Sequence, residues 1–409
     1  MYRRETENAV EKARVIIIGT GRSADSYVSF AIRHPELLCI SGISSADRER
    51  RDFLAGKCSV PRHCRFDSWT DILERPCFAD GAVIADPGET GDASLASLER
   101  GYHLRLEHPE AVGEKHCLEI VGSSGRKGLC ISSSNPFLLV PSIREVLLRL
   151  SRGEFGDARS ASHETHISPR TLSLLARSSQ GAGDPAAPLC HEYDLLCRVM
   201  RGRPSSISLF EGESAIAPEN APRGAAPFCR GCPAGERCRF NADRLHGKSS
   251  LRLFSFLKKK DAFSETALEL YPHTGGKGNA LQRCIFTDGS RQRDLTARLM
   301  FQDSRTASLT RIAVQEQDQR AFRIQGTLAS AVASCSVSLV VRRESGSPDF
   351  FAFPDSPAER RKHTDGEIRR FADSLMGTIP LCSAQEALQG CLLSHAAFRS
   401  LKNGAPSSL

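Results

Sequence analysis

The sequence predicts an α/β protein: a doubly wound parallel sheet at the N-terminus, then a second α/β domain whose open sheet is mostly antiparallel. Three observations carry this. Residues 13–33 read as an apolar β-branched strand, a Gly-x-Gly turn and a helix with one apolar face. Short apolar strands then alternate with helices as far as residue 132. From residue 205 onward, strand-like segments instead alternate polar with apolar residues, the pattern of a sheet covered on one face.

Each element has its reason. Val15–Ile18 is uniformly β-branched, as a strand buried on both faces requires. Gly19 and Gly21 follow, Ala24 takes the third small position, and Tyr27, Val28, Phe30, Ala31 and Ile32 supply the helix face. Residues 36–43 read as the second strand, 47–54 as a charged helix, 69–73 as a short helix, and 82–85 as a buried strand closed by Asp86-Pro87. A helix over 93–100 stops at Gly101, a natural C-cap. A strand at 102–106, a helix at 112–123 and a strand at 128–132 complete a first domain, 1–132, which opens on a polar lead-in over residues 1–12.

The second domain, 133–402, starts with a helix at 141–152, a strand at 158–167, a loop of small residues at 170–188 and a helix at 190–200. Strands follow at 205–211, 295–301, 306–314, 321–327 and 335–341, then helices at 366–376 and 383–401. Residues 403–409 read as a flexible tail.

Composition narrows the function classes. The 409 residues are 40% hydrophobic and 25% charged, ordinary for a soluble globular protein and long enough for two domains. The net charge of +7 is spread thinly, and Lys258–Lys260 is the one tight basic run, so nucleic acid is not an expected partner. No apolar run reaches the ~20 residues that span a bilayer, so no membrane association is expected. The N-terminus lacks the apolar region of a signal peptide. The expected location is cytoplasmic. Most of the fifteen cysteines stand singly in apolar contexts such as Cys39, Cys130 and Cys335, as small buried hydrophobes do in a reducing compartment.

The spacing Cys229-x2-Cys232-x5-Cys238, inside a Gly- and Pro-rich insert near 219–246, is different. Close-set thiolates in such a loop chelate metals, most often structural zinc; alternatively the three side chains only pack. A fourth ligand is needed, with His246 the nearest candidate and Cys284 or Cys190 as alternatives. His163 and His166 are a poor metal pair, because residues three apart on a strand face opposite ways.

Strand, Gly-x-Gly and helix together form a dinucleotide cradle. The first glycine makes the turn, the second admits a pyrophosphate, and the helix N-terminus faces its charge. Taken with further phrases, the chain resembles the Gfo/Idh/MocA oxidoreductases. These phrases are RVIIIGTGRSA, FDSWTDIL (66–73), ASLASLERGYHLRLEHP (93–109), LRLSRGEFGDA (148–158), CHEYDLL (190–196), RIQGTLA (323–329) and HTDGEIRRFADSLMGTIPLCSAQEAL (363–388), in the family's order. The stretch ENAPRGAAPFCRGCPAGERC (219–238) resembles the insert of a cysteine-rich subgroup.

The resemblance implies a Rossmann domain and hydride transfer between NAD or NADP and a sugar, cyclitol or related polyol, in a homo-oligomer. It places the cofactor on Gly19, Thr20, Gly21, Arg22, Ser23, Ser45, Asp86, Pro87 and Glu107. The carboxylate that grips the ribose of NAD would fall near Ser44–Ser45 and is absent; with Arg48 and Arg50 close by, this leans toward NADP. Where relatives carry Thr-Pro or Asn-Pro and a nearby histidine, this chain has Asp86-Pro87 and Gly91, and a carboxylate there lies unfavourably close to cofactor phosphates.

The Glu-Lys-Pro signature reads Glu107-His108-Pro109, so the family lysine is His108; relatives often place a cis bond before the proline, which makes His108–Pro109 a candidate cis bond. His108 either replaces the lysine as a weaker donor or marks lost catalysis. The His-x-x-Asp of the second domain is intact as His191 and Asp194, one helical turn apart on one face. The implied roles are His191 as general base, His108 as donor to the reacting oxygen, Asp194 as orienter or substrate ligand, and Asn135 as a substrate contact. The alternative is a catalytically degenerate relative that binds a nucleotide or sugar as a sensor or partner subunit.

Overall fold

The computed structural model describes residues 12–88, 90–178, 189–246, 282–286, 293–313, 317–334, 338–354, 356–378 and 383–409. The lead-in over 1–11, much of the loop over 170–188, Lys258–Lys260 and Cys335 lie outside these residues. The chain divides into two compact units, residues 1–134 with 358–388, and residues 135–357 with 389–409.

The first unit holds six parallel strands. They are β1 (Ala13–Ile18), β2 (Leu38–Ser44), β3 (Arg65–Phe66), β4 (Gly81–Ile84), β5 (His103–Leu106) and β6 (Ile131–Ser133), in the order β3-β2-β1-β4-β5-β6. The helices are α1 (Arg22–Arg33), α2 (Arg48–Lys57), α3 (Trp69–Glu74), α4 (Thr90–Glu99) and α5 (Glu114–Lys127). β1 lies in the middle, parallel to β2 and β4, and Val15–Ile18 pairs residue for residue with Gly81–Ile84. Ile16 and Ile17 point to opposite faces and are both fully buried, which is why the strand is β-branched throughout. The strand order reverses between β1 and β4, and the crevice at the carboxyl ends of these strands is the ligand position of such sheets.

The six-stranded sheet ends with β6 at Ser133, and the first unit also takes back residues 358–388. Helix α10 (Pro357–Leu375) buries Ile368, Phe371 and Ala372 in one core with Val15, Ile17 and Val83. Gly81 makes room for it: a Cβ there would stand 3.1 Å from Phe371 and 3.2 Å from Leu375. Asp365 on the same helix pairs with Arg33 at 2.5 Å. The periodicity of 366–376 revealed a helix; it could not reveal which core that helix joins.

The second unit carries nine strands: β7 (Ala158–Ile167), β8 (Pro204–Glu211), β9 (Leu295–Phe301), β10 (Thr306–Ala313), β11 (Gln319–Gly326), β12 (Ala329–Ser334), β13 (Ser338–Arg343), β14 (Asp349–Ala352) and β15 (Ser407–Ser408). Their order is β14-β13-β12-β11-β7-β10-β9-β8-β15, and only β7 and β10 run parallel. Its helices are α6 (Pro141–Ser151), α7 (Pro169–Ser178), α8 (Cys190–Met200), the short α9 (Ala242–His246) and the later turns of α11 (Ala384–Asn403). One sheet face packs on α6, α8 and α11 through Val146, Tyr193, Leu196, Leu393 and Ala397.

Three expectations change here. The stretch read as a loop at 170–188 begins as helix, α7, over Pro169–Ser178. The strand read at 335–341 is the second arm of a hairpin whose first arm, β12, was not foreseen. Residues 407–408, read as flexible tail, pair antiparallel with Ser206 and Ile207 at the sheet edge. Small polar residues suit an edge strand as well as a tail, and only the open edge of β8 distinguishes the two. Among the described residues, no helix is long and apolar enough to cross a membrane.

Candidate functional site

The turn between β1 and α1 has the geometry of an anion cradle. Gly19 takes φ +97°, open to glycine at little cost, and Gly21 caps α1. The main-chain N–H groups of Thr20 and Gly21 both point outward, and the Asp86 carboxylate accepts from them, at 3.1 and 2.8 Å. A Cβ at Gly19 would lie 2.5 Å from Asp86 Cγ, and one at Gly21 would lie 2.7 Å from Asp86 Oδ1. Asp86 is held from behind, because Thr90 Oγ1 donates to its carbonyl at 2.9 Å. Ser23 Oγ donates to the Ala85 carbonyl at 3.3 Å, Arg22 is exposed and Pro87 is half-buried. The side chain foreseen as a repulsive neighbour of cofactor phosphates thus takes the two N–H groups of the turn itself.

At the end of β2, Ser45 Oγ and Thr20 Oγ1 share a hydrogen bond at 3.0 Å, and Ser45 Oγ accepts from Asp47 N–H at 3.2 Å. Asp47 caps α2 through Arg50 N–H at 2.9 Å and so is turned to its own helix. Of the two arginines, Arg50 is paired with Asp25 and donates to the Thr20 carbonyl at 3.4 Å. Arg48 is three-quarters exposed, 3.5 Å from Asp67.

After β5, Glu107 is locked in place: its Oε1 accepts from Tyr27 Oη at 2.7 Å and Arg105 Nε at 2.8 Å, and Arg105 also donates to Ser132 Oγ at 2.7 Å. Burial disfavours the Glu107 anion, but Arg105 and Tyr27 outweigh it and hold the carboxyl below its ordinary range. Tyr27 is pushed well up by burial. Glu107 therefore fixes the base of this loop. His108 Nδ1 lies 2.9 Å from Glu110 Oε1. The peptide before Pro109 is trans, against the sequence expectation, and no described peptide is cis.

One residue was missed. The His116 ring of α5 fills the space beside Gly91, 2.6 Å from where a Gly91 Cβ would be. His116 Nε2 is 3.1 Å from Asp92 Oδ1. No local spacing links residues 91 and 116; only the packing of α4 on α5 does.

In the second unit, Asn135, His191 and Asp194 come together. Asn135 Nδ2 donates to the His191 carbonyl at 2.9 Å and to Asp194 Oδ2 at 2.7 Å, while its Oδ1 accepts from Phe137 N–H at 3.0 Å. Asp194 also accepts from Arg198 Nε at 2.7 Å and Gln389 Nε2 at 3.1 Å. All three residues are buried. Asn135 thus ties residues 135–137 to the first turn of α8, and one lone pair of its Oδ1 remains beyond the bond to Phe137.

Beneath α8 lies a charged group the sequence did not reveal. Arg311 Nη2 donates to Glu192 Oε1 at 3.1 Å, and buried His163 meets Phe137 edge-on, ring centres 5.1 Å apart. Burial drives His163 down to about 4, with Arg320 and Arg311 adding to the effect and Glu192 opposing it.

The cysteines of the insert do not close to the spacing foreseen for zinc: among the described residues, no three of their sulfurs lie within 4.8 Å of one another. They do share one pocket, and Cys284 joins them there. The main chain of His246 ends α9, and its side chain lies outside the described residues.

Residues 13–133 match the model of a family described as "Oxidoreductase family, NAD-binding Rossmann fold", GFO_IDH_MocA. No curated protein matches the chain. Among solved structures it is similar to scyllo-inositol dehydrogenase from Lactobacillus casei with bound NAD(H) and scyllo-inositol, at 12% identity and TM-score 0.64 over 97% of this chain and 99% of that one. It is also similar to the WlbA dehydrogenase from Bordetella pertussis in complex with NADH and UDP-GlcNAcA, at 15% identity and TM-score 0.62 over 98% and 99%. A third is an oxidoreductase from Agrobacterium radiobacter in complex with NAD+, L-tartaric acid and magnesium, at 13% identity and TM-score 0.66 over 97% and 98%.

Proposed function

We propose that this chain is an NAD(P)-dependent oxidoreductase that moves a hydride between a nicotinamide cofactor and a hydroxyl-bearing carbon of a sugar, cyclitol or related polyol. The observation that carries this reading is the β1–α1 turn: two glycines that a Cβ would block, and two N–H groups converging on an oxyanion. The Asp86 carboxylate stands in there for a cofactor phosphate. The solved structures of similar fold add the substrate class, since their own ligands are an inositol, a nucleotide sugar and a hydroxy acid.

When bound, the cofactor supplies the hydride acceptor or donor. The chain's part is the proton. As the alcohol carbon gives up hydride, the hydroxyl proton passes to the His191 imidazole, and His108 donates a hydrogen bond to the oxygen that becomes the carbonyl. Asp194, already committed to Asn135, Arg198 and Gln389, acts as a positioning residue for α8. The cofactor preferred is NADP, because Ser45 brings no carboxylate against a 2′-phosphate and Arg48 is exposed beside it in sequence. The reading includes a cytoplasmic homo-oligomer.

One observation favours a second reading. Asp86 fills the phosphate donors itself, as a degenerate binder of sugars or nucleotides would permit. Fluorescence titration with NADH and NADPH, followed by turnover with a panel of polyols, separates the two. Saturable cofactor binding supports the enzyme. Absence of binding at millimolar cofactor, in wild type and in Asp86→Ala alike, refutes it.

A further inference from the structure

The cysteine insert holds four sulfurs around one space. Cys229, Cys232, Cys238 and Cys284 line a single pocket whose other walls are mostly apolar, among them Phe228, Ala226 and Phe286, with Asn241 beside them. All four are thiols, Cys284 buried and the other three half-buried. The main chain builds this convergence. Phe228 bridges Arg283 in antiparallel fashion, Cys229 N–H donates to the Gln282 carbonyl at 2.7 Å, and Cys284 N–H donates to the Pro227 carbonyl at 2.8 Å. Cys284 is thereby clamped beside Cys229, although 55 positions separate them (284 − 229). Within the insert, Cys232 N–H donates to the Cys229 carbonyl at 3.2 Å and Cys238 N–H to the Ala234 carbonyl at 3.0 Å, with Gly231 at φ +75° in the tight turn between the first two cysteines.

We propose that Cys229, Cys232, Cys238 and Cys284 form a four-thiolate site for a thiophilic metal centre, zinc or iron, that staples the insert to residues 282–286. Thiolates are the preferred ligands of both metals, and four of them close a tetrahedral set. Ala226 N–H already donates to Cys232 Sγ at 3.4 Å, the kind of main-chain hydrogen bond that tunes metal-bound sulfur. The fourth ligand is Cys284, in place of His246.

The spacing bears on which metal. One zinc at ~2.3 Å from each sulfur needs sulfurs about 3.8 Å apart. The sulfurs stand wider than that, no three lying within 4.8 Å of one another. A single zinc therefore requires the side chains to rotate inward, whereas in an iron–sulfur cluster each thiolate binds a different iron and the sulfurs stand further apart.

The test uses the full chain, purified without oxygen and analysed for zinc, iron and acid-labile sulfide. Iron and sulfide in equal amounts with broad visible absorbance identify the cluster, and one colourless zinc per chain identifies the single ion; either supports the site. Cys284→Ser should lose the metal and His246→Ala should keep it, with circular dichroism confirming that both fold. Should Cys284→Ser fail to fold, thiol alkylation of the wild-type chain decides: the four cysteines should be protected as purified and modified after chelation. Two results overturn the proposal: a chain that is metal-free and takes up neither Zn²⁺ nor iron with sulfide, or a folded Cys284→Ser that retains its full metal content.

Discussion

Replacing Asp86 by alanine should tighten nicotinamide cofactor binding while loosening the unliganded protein. Asp86 accepts two main-chain hydrogen bonds, at 3.1 Å from Thr20 and 2.8 Å from Gly21. A cofactor phosphate that takes over these donors must first displace the carboxylate. Each bond to a charged, half-exposed acceptor is worth about 1–1.5 kcal/mol net, so displacement costs about 2–3 kcal/mol. Removing that cost should lower Kd roughly 30- to 150-fold, since each 1.4 kcal/mol is a factor of ten. A carboxylate left about 4 Å from a phosphate would repel it by roughly 4 kcal/mol at an effective dielectric of 20, which acts in the same direction. The variant also forfeits both bonds in the unliganded state, so its unfolding midpoint should fall by a few degrees. NADH and NADPH fluorescence titrations give the first quantity and a thermal melt the second. A folded Asp86→Ala with unchanged or weaker affinity would refute the idea that Asp86 occupies the phosphate site.

Three further outcomes follow from the same geometry. His191→Ala should lower turnover by roughly two to four orders of magnitude with little change in cofactor Kd, and equal turnover in the variant would remove His191 as the base. Ser45→Asp should shift preference from NADPH toward NADH by about ten- to a hundredfold, the worth of one charge-assisted hydrogen bond gained and one repulsion added; an unchanged ratio would place the ribose elsewhere. His163, driven down to about 4 by burial, binds its proton more weakly folded than unfolded. Stability should therefore be level above about pH 6.5 and fall between 6.5 and 4, by about 2–3 kcal/mol. Denaturant midpoints of His163→Phe, measured across that range, should lack this slope, and an identical slope in the variant would assign it to other groups.

The first unit was legible in the sequence because its signals are local. A β-branched run buried on both faces, a glycine turn and a periodic helix are each encoded by neighbours in the chain, so β1, the turn at Gly19 and α1 appear where residues 13–33 placed them. Ser45, Asp86, Gly91 and His108 were also visible as departures from the resembled pattern, because such a pattern is local. Their consequences were not. That Asp86 reaches Thr20 and Gly21, or that His116 fills the space beside Gly91, depends on how β4 lies against β1 and how α5 packs on α4.

The sequence alone determined the strand-turn-helix cradle, the alternation of elements and the candidate residues, all properties of segments a few residues long. Tertiary structure alone decided which core α10 joins, that residues 407–408 complete a sheet edge, that Asn135 bonds to the first turn of α8, and that Cys284 is brought to the other three cysteines. The physical reason is common to all four. Burial of an apolar face, an open strand edge, the pairing of a buried polar group and the convergence of thiols are satisfied by partners far away in the chain, and no local pattern names the partner.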